Sequence, residues 1–178
     1  QESIDAGVMS FSIAFLIIIA YIIFYYGLAG VYAVIAMIIN LFYIFGIMDS
    51  GDFTLTLPGI AGIVLSMAMA VDTNVIIYER TKEELFAGKN ILEAYKDGFK
   101  HALNAIIDGH LTMILTAVVL FFFGTGPIKG FALTLLIGAV MTLFTSILLS
   151  RVMIFHRLNK GKSLSVWTPP TKNLFRNT

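Results

Sequence analysis

The chain contains no cysteine, and only 13% of its 178 residues carry charge. The first absence removes disulfide frameworks and thiolate metal sites. The second leaves too little polar surface to cover a water-soluble domain. With 58% hydrophobic residues and a mean hydropathy of +0.88, lipid is the expected solvent. No Lys or Arg falls in the middle of an apolar run, so any buried carboxylate lacks a counter-charge within the chain. The three histidines, His101, His110 and His156, have no metal-ligand spacing, and no metal or cofactor is expected. A basic leader is also missing, because Gln1–Asp5 is polar to acidic. That abrupt start, without an initiator Met, predicts a fragment of a longer protein.

What is present is a series of apolar runs at about 6–26, 29–48, 58–79, 103–123 and 128–150. Each reaches the ~20 residues that cross a bilayer at ~1.5 Å per residue. The expected fold is an all-α membrane protein, a five-helix transmembrane bundle over 1–151, with a tail or linker over 152–178. Gly27-Leu28-Ala29-Gly30 reads as a tight helical hairpin. Pro58 and Pro127 fall where a first helical turn tolerates a missing N–H.

Lys and Arg set the expected orientation. Arg80, Lys82, Lys89, Lys96 and Lys100 lie between the third and fourth runs, and Arg151, Arg157, Lys160, Lys162, Lys172 and Arg176 follow the fifth. Lys129 is the lone basic residue on the other side. The positive-inside rule predicts a cytoplasmic C-terminus, with Gln1 outside. Asn90 followed by Glu93 has the form of a helix N-cap. Ile91, Leu92, Tyr95 and Phe99 then recur at helical spacing. A cytoplasmic amphipathic helix over about 91–101 is expected, either near anionic headgroups or packed on the bundle.

Small residues mark two packing ridges. Gly62, Ser66 and Ala70 recur every fourth residue in the third run, and Gly130, Thr134, Gly138, Thr142 and Ser146 do so in the fifth. In lipid, helices associate through such close approach; the ridges serve either static packing or sliding in a transport cycle. Asn40, mid-span, predicts an interhelical hydrogen bond.

Two carboxylates interrupt apolar runs. Asp72 stands eight residues before Arg80 and Asp108 eight after Lys100, so both lie roughly 12 Å in from the same helix ends. An intramembrane Asp costs on the order of 3 kcal/mol at a helix centre, which makes function the default expectation. A carboxyl that titrates near neutral pH suits a proton carrier. Asp72 is expected to be protonated and bonded to groups such as Asn74 or Thr112, or to meet a partner in another chain. Asp108 and His110 are candidates for the same path. An aspartyl-protease dyad of Asp72 and Asp108 is the enzymatic alternative, but neither site has the Gly-x-Gly-Asp context, and no enzyme is expected. The segment Gly124–Gly130 lacks the Gly-Lys-Ser/Thr ending of a phosphate loop.

Leu55-Thr-Leu-Pro-Gly-Ile-Ala-Gly62, Ala70-Val-Asp-Thr-Asn-Val75, Tyr78-Glu-Arg80 and Phe123-Gly-Thr-Gly-Pro-Ile-Lys-Gly-Phe131 resemble the signatures of the SecD family, in its order and spacing. The resemblance runs from the first helix to about Arg151. It implies half of a resistance-nodulation-division type membrane domain in the bacterial inner membrane, paired with a SecF-like half and associated with the SecYEG translocon. It also implies use of the proton motive force to help draw preproteins outward through a periplasmic domain not contained here. Asp72 and Asn74 match the family's proton-path motif. Asp108-Gly-His-Leu-Thr-Met113 departs from the usual Asp-Ala-Asn-x-Thr-Thr, so His110 stands where the family has an amide. Pro170–Phe175 resembles the linker into a fused SecF half. Nucleic acid is not an expected partner; membrane lipid is. The alternatives are a passive scaffold for Sec subunits and a small-molecule exporter of the same superfamily.

Overall fold

The computed structural model describes residues 2–161, with side chains from Asp5 onward. Among them the protein is entirely helical. Helix α1 spans Glu2–Ser50, α2 Leu57–Phe86, α3 Ile91–Phe123 and α4 Pro127–Thr142; a π-helical segment, Leu143–Leu149, then leads directly into α5, Ser150–Asn159.

Helix α1 is bent at one residue. Gly27 adopts φ 53° and ψ −124° inside an otherwise helical run, a conformation open to glycine because it has no Cβ. Gly30 then lies against the carbonyl of Ile22, whereas a straight helix would hold these eight residues roughly 12 Å apart. Val8, Phe11 and Ser12 line one small cavity with Phe45, which a straight helix would place roughly 50 Å away. The chain therefore doubles back at Gly27. The structure corrects the expected count of five separate helices. Four helical elements are long and apolar enough to cross a membrane: 5–50, Leu57–Phe86, Ile91–Phe123 and Pro127–Asn159. The reversal needs one residue at positive φ, so no loop divides the first element.

Three other boundaries move for a common reason. Helix α2 runs past 79 to Phe86, because no breaker follows until Gly88 at φ 89°. The expected amphipathic helix over 91–101 is not a separate surface helix; it is the first three turns of α3. Lys100-His101-Ala102 contains nothing to interrupt it. Gly98 also holds these turns upright against α2: a Cβ there would stand 2.6 Å from the Thr81 backbone nitrogen. Similarly, residues 152–159, expected in the tail, continue the last helix. The Pro170–Phe175 stretch lies outside the described residues.

Local chemistry explains the helix starts. Thr56 caps α2 by accepting a 3.1 Å bond from the Gly59 N–H, with Pro58 in the first turn. Asn90 caps α3 by accepting from the Glu93 N–H at 3.0 Å. Helix α2 is the hub, packing against α1, α3 and α4. One end of the bundle gathers the Gly27 reversal, the α2–α3 turn and α5, and with them most of the Lys and Arg. We call it the lysine-rich end.

Candidate functional site

The five residues expected on the proton path divide by direction. On α2, Asp72 faces outward while Thr73 and Asn74, one and two 100° steps on, face the core. The Asn74 side-chain amide donates to Ala70 O at 2.9 Å, and its buried Oδ1 has no partner. On α3, Asp108 and Thr112 face outward, and the Thr112 hydroxyl donates to Asp108 O at 2.9 Å. His110 turns inward at 5% exposure. Its Nδ1 bonds Ile106 O at 2.9 Å, leaving Nε2 buried and unpartnered. Asp72 lies within electrostatic reach of His110.

Neither the Asp72 nor the Asp108 carboxylate has a hydrogen bond or ion pair among the described residues. The expected bond from Asp72 to Asn74 or Thr112 is not made. Asn74 is spent on the backbone one turn back, and Thr112 does the same on α3. What remains of that expectation is a partner outside this chain. Asp108 and Thr112 belong to an outward polar stripe, Asn104, Asp108, Thr112 and Thr116, at four-residue spacing. Beside it, Thr112, Leu115, Thr116, Val119 and Leu120 line a shallow surface depression.

The opposite face of α2 carries a polar seam with α4 and the π-helical segment. Gly62 sits against Thr134, Gly138 against Ser66, and Gly130 against Thr56, so the two small-residue ridges face each other. Asn40 of α1 donates to the Thr142 hydroxyl at 2.9 Å. Thr142 reaches Ser66 O, and Ser146 reaches Ala70 O, both at 3.4 Å. Each hydroxyl finds a carbonyl. The π-helical segment itself is not visible in hydropathy. Its only sequence signal is the cluster Thr142, Thr145 and Ser146, whose hydroxyls compete for backbone carbonyls; Thr145 takes Met141 O at 2.9 Å.

A second cluster went unrecognised in the sequence because Lys82 reads there as one more solvated base. In the structure Lys82 is 5% exposed. Its Nζ lies 2.6 Å from Glu79 Oε1 and over the rings of Tyr25 and Tyr26, at 4.9 and 5.0 Å. The Tyr26 hydroxyl donates to the same Glu79 oxygen at 2.8 Å, and that of Tyr78 donates to Ala29 O at 2.8 Å. Together these bonds fasten the α1 reversal to α2.

Beyond the apolar stretches, Lys89 bridges Glu84 and Asp97 at 2.6 Å each, and His101 Nδ1 lies 3.0 Å from Glu84. The bonds to Asp97 and Glu84 hold the Lys89 ammonium above its ordinary range. Conversely, the Lys89 bond holds both carboxyls below theirs.

Comparison with known proteins agrees with this architecture. Residues 1–160 match the family described as protein export membrane protein SecD/SecF, C-terminal. The chain is 45% identical over 169 residues to the protein translocase subunit SecD of Koribacter versatilis, covering 93% of this chain and 32% of that protein. It is also 45% identical over 152 residues to SecD of Acetobacter pasteurianus, covering 85% and 29%. The crystal structure of SecDF from Thermus thermophilus, titled a translocon-associated membrane protein, superposes with a TM-score of 0.88 at 38% identity, covering 95% of this chain and 24% of that one. A SecDF structure in a super-membrane-facing form gives 0.85 at 39%, covering 92% and 22%. The chain thus spans about a third or less of these relatives. It is a membrane protein, and it belongs to the SecD/SecF C-terminal family of protein export membrane proteins.

Proposed function

We propose that this chain is the membrane-embedded part of a proton-motive-force-driven accessory subunit of Sec protein translocation, with Asp72 on the proton path. The observation that carries the proposal is the outward, unpaired Asp72 carboxylate within an apolar span. A carboxyl so placed costs on the order of 3 kcal/mol if it faces lipid charged and alone. That cost is relieved when a second helical half covers the face and supplies a hydrogen-bonding or cationic partner. A SecF-like half, fused or separate, is that partner, forming with this chain a resistance-nodulation-division type domain. The names of the SecDF relatives support this choice.

In this account Asp72 and Asp108 take up and release protons at the joint between the halves. Thr112 lines it, and Asn74 and His110 offer unpaired acceptors behind it. The work reaches preproteins through a periplasmic domain outside this chain, beside the SecYEG translocon. The chain sits in the bacterial inner membrane with its start periplasmic and its lysine-rich end cytoplasmic, following the positive-inside rule. It performs no enzymatic step of its own.

The test is export of a reporter preprotein in cells depleted of native SecD and supplied with the full-length parent carrying Asp72→Asn. Precursor should accumulate although the variant reaches wild-type membrane levels. Normal export would instead make the domain a passive scaffold.

A further inference from the structure

At the lysine-rich end, the charges on the α2 side and those on the α5 side are treated differently. Arg80, Lys82 and Lys89 all have carboxylate partners. Lys96 of α3 and Arg151 of α5 have none among the described residues. They are instead set on each other's helix: Lys96 Nζ lies 5.4 Å from the Phe155 ring centre, and the Arg151 guanidinium 4.5 Å from that of Phe99. This reciprocal stacking holds two like charges over one interhelical groove. The nearest acids do not neutralise them. Asp97 is bound by Lys89, and Glu93 is exposed at the start of α3.

Two buried hydroxyls on these helices have no partner among the described residues. The Tyr95 hydroxyl, one turn before Phe99, is unpaired, on a side chain 1% exposed, and lies within the field of Arg151. The Ser150 hydroxyl, beside Arg151 in the chain, is likewise buried and unpaired. Next to the cations the surface becomes apolar, with Val152 63% and Leu148 49% exposed. The α3–α5 face therefore joins two exposed, unpaired cations to an apolar surface at the end of a membrane span.

We infer that the α3–α5 groove is a binding site for an anionic phospholipid, its headgroup phosphate held between Lys96 and Arg151 and an acyl chain lying along Val152 and Leu148. Stacking on Phe99 and Phe155 presets both cations, so little side-chain freedom is lost on binding. The adjoining apolar wall favours a lipid over a soluble anion or an acidic peptide, because both of those would leave it uncovered. The inference rests on membrane embedding alone and is independent of the role of Asp72.

The test uses the full-length protein in nanodiscs of phosphatidylcholine with a minor fraction of phosphatidylglycerol. Lipid retained after extraction into mild detergent is read by native mass spectrometry. Wild type should retain phosphatidylglycerol selectively. Lys96→Gln with Arg151→Gln should retain it about thirtyfold less, the sum of two cations near an anionic surface. Lys129→Gln, at the far end, should match wild type. The charge-keeping swap Lys96→Arg with Arg151→Lys should hold the lipid, and it keeps the test decisive if the neutral pair unfolds. The inference is overturned if wild type shows no selectivity, or if the neutral pair folds and retains lipid as wild type does. It is equally overturned if inorganic phosphate or polyglutamate displaces the lipid better than short-chain phosphatidylglycerol.

Discussion

The two faces of α2 solve the same problem in opposite ways. Toward α4, Ser66 and Ala70 present carbonyls that Thr142 and Ser146 reach, and Gly138 lets the backbones close over Ser66. Along these rows the buried polar atoms left without a partner are Asn40 Oδ1 and, toward the lysine-rich end, Asn74 Oδ1 and the Ser150 hydroxyl. Toward the outside, the Asp72 and Asp108 carboxylates are left without partners among the described residues, while Thr112 and Thr116 bond only the backbone of their own helix. A membrane helix satisfies its polar groups internally wherever it can. Under the proposed function, the α4 face is finished structure and the outward face with Asp72 and Asp108 is the one completed from outside the chain.

The comparison is broken most severely by filling the seam. At Gly138 a Cβ already meets Ser66, so Gly138→Val must push α2 and α4 apart. We expect a loss of about 1–3 kcal/mol from overpacking, read as a drop in the thermal midpoint of the detergent-solubilised protein. Export should fall in proportion to folded protein. Next is Asn40→Leu, which removes the bond to Thr142 but keeps the bulk. Interhelical hydrogen bonds in membranes average about 0.6 kcal/mol, so a small loss of stability and near-normal export are expected. An equal loss of export at equal protein level would erase the distinction between the faces.

The smallest effect is expected at the α2–α3 turn. Glu84 and Asp97 sit below their ordinary range, so their contribution is present at neutral pH and fades as pH falls through those lowered values. Lys89 sits above its ordinary range, so its contribution persists through neutral pH and is lost only in strong alkali. The turn should stay closed through the neutral range and loosen below pH ~4. Because the chain has no cysteine, Ala87→Cys, at an exposed turn position with ordinary φ, gives a single labelling site. Its thiol reactivity, corrected for thiolate fraction, should be flat from neutral to mildly acidic pH. A step in that range would contradict the assignment to Glu84 and Asp97.

Much of this architecture could be read directly from residue types. Apolar runs locate the spans because a bilayer demands length, and Gly27 announces the reversal because few other residues tolerate its φ. Helix ends were less legible. Whether Thr81–Phe86 or Ile91–Ala102 stays helical depends on packing between distant segments, as Gly98 against Thr81 shows. Lys82 looks solvated until Tyr25 and Tyr26 fold over it. At the candidate site, the residues stood out by chemistry, but their directions did not. Asp72 and Asn74 are two positions apart, and only the placement of α1, α3 and α4 decides which one faces the core. The π-helical segment was beyond reach, since its register follows from where Thr142 and Ser146 meet α2.

The most direct test measures proton flux in inverted vesicles containing the full-length parent and its export partners, with Asp72→Asn and Asn40→Leu compared at matched protein levels. The account predicts that Asp72→Asn abolishes the subunit-dependent flux and Asn40→Leu leaves it close to wild type. Undiminished flux through Asp72→Asn, or equal loss in both variants, would contradict it.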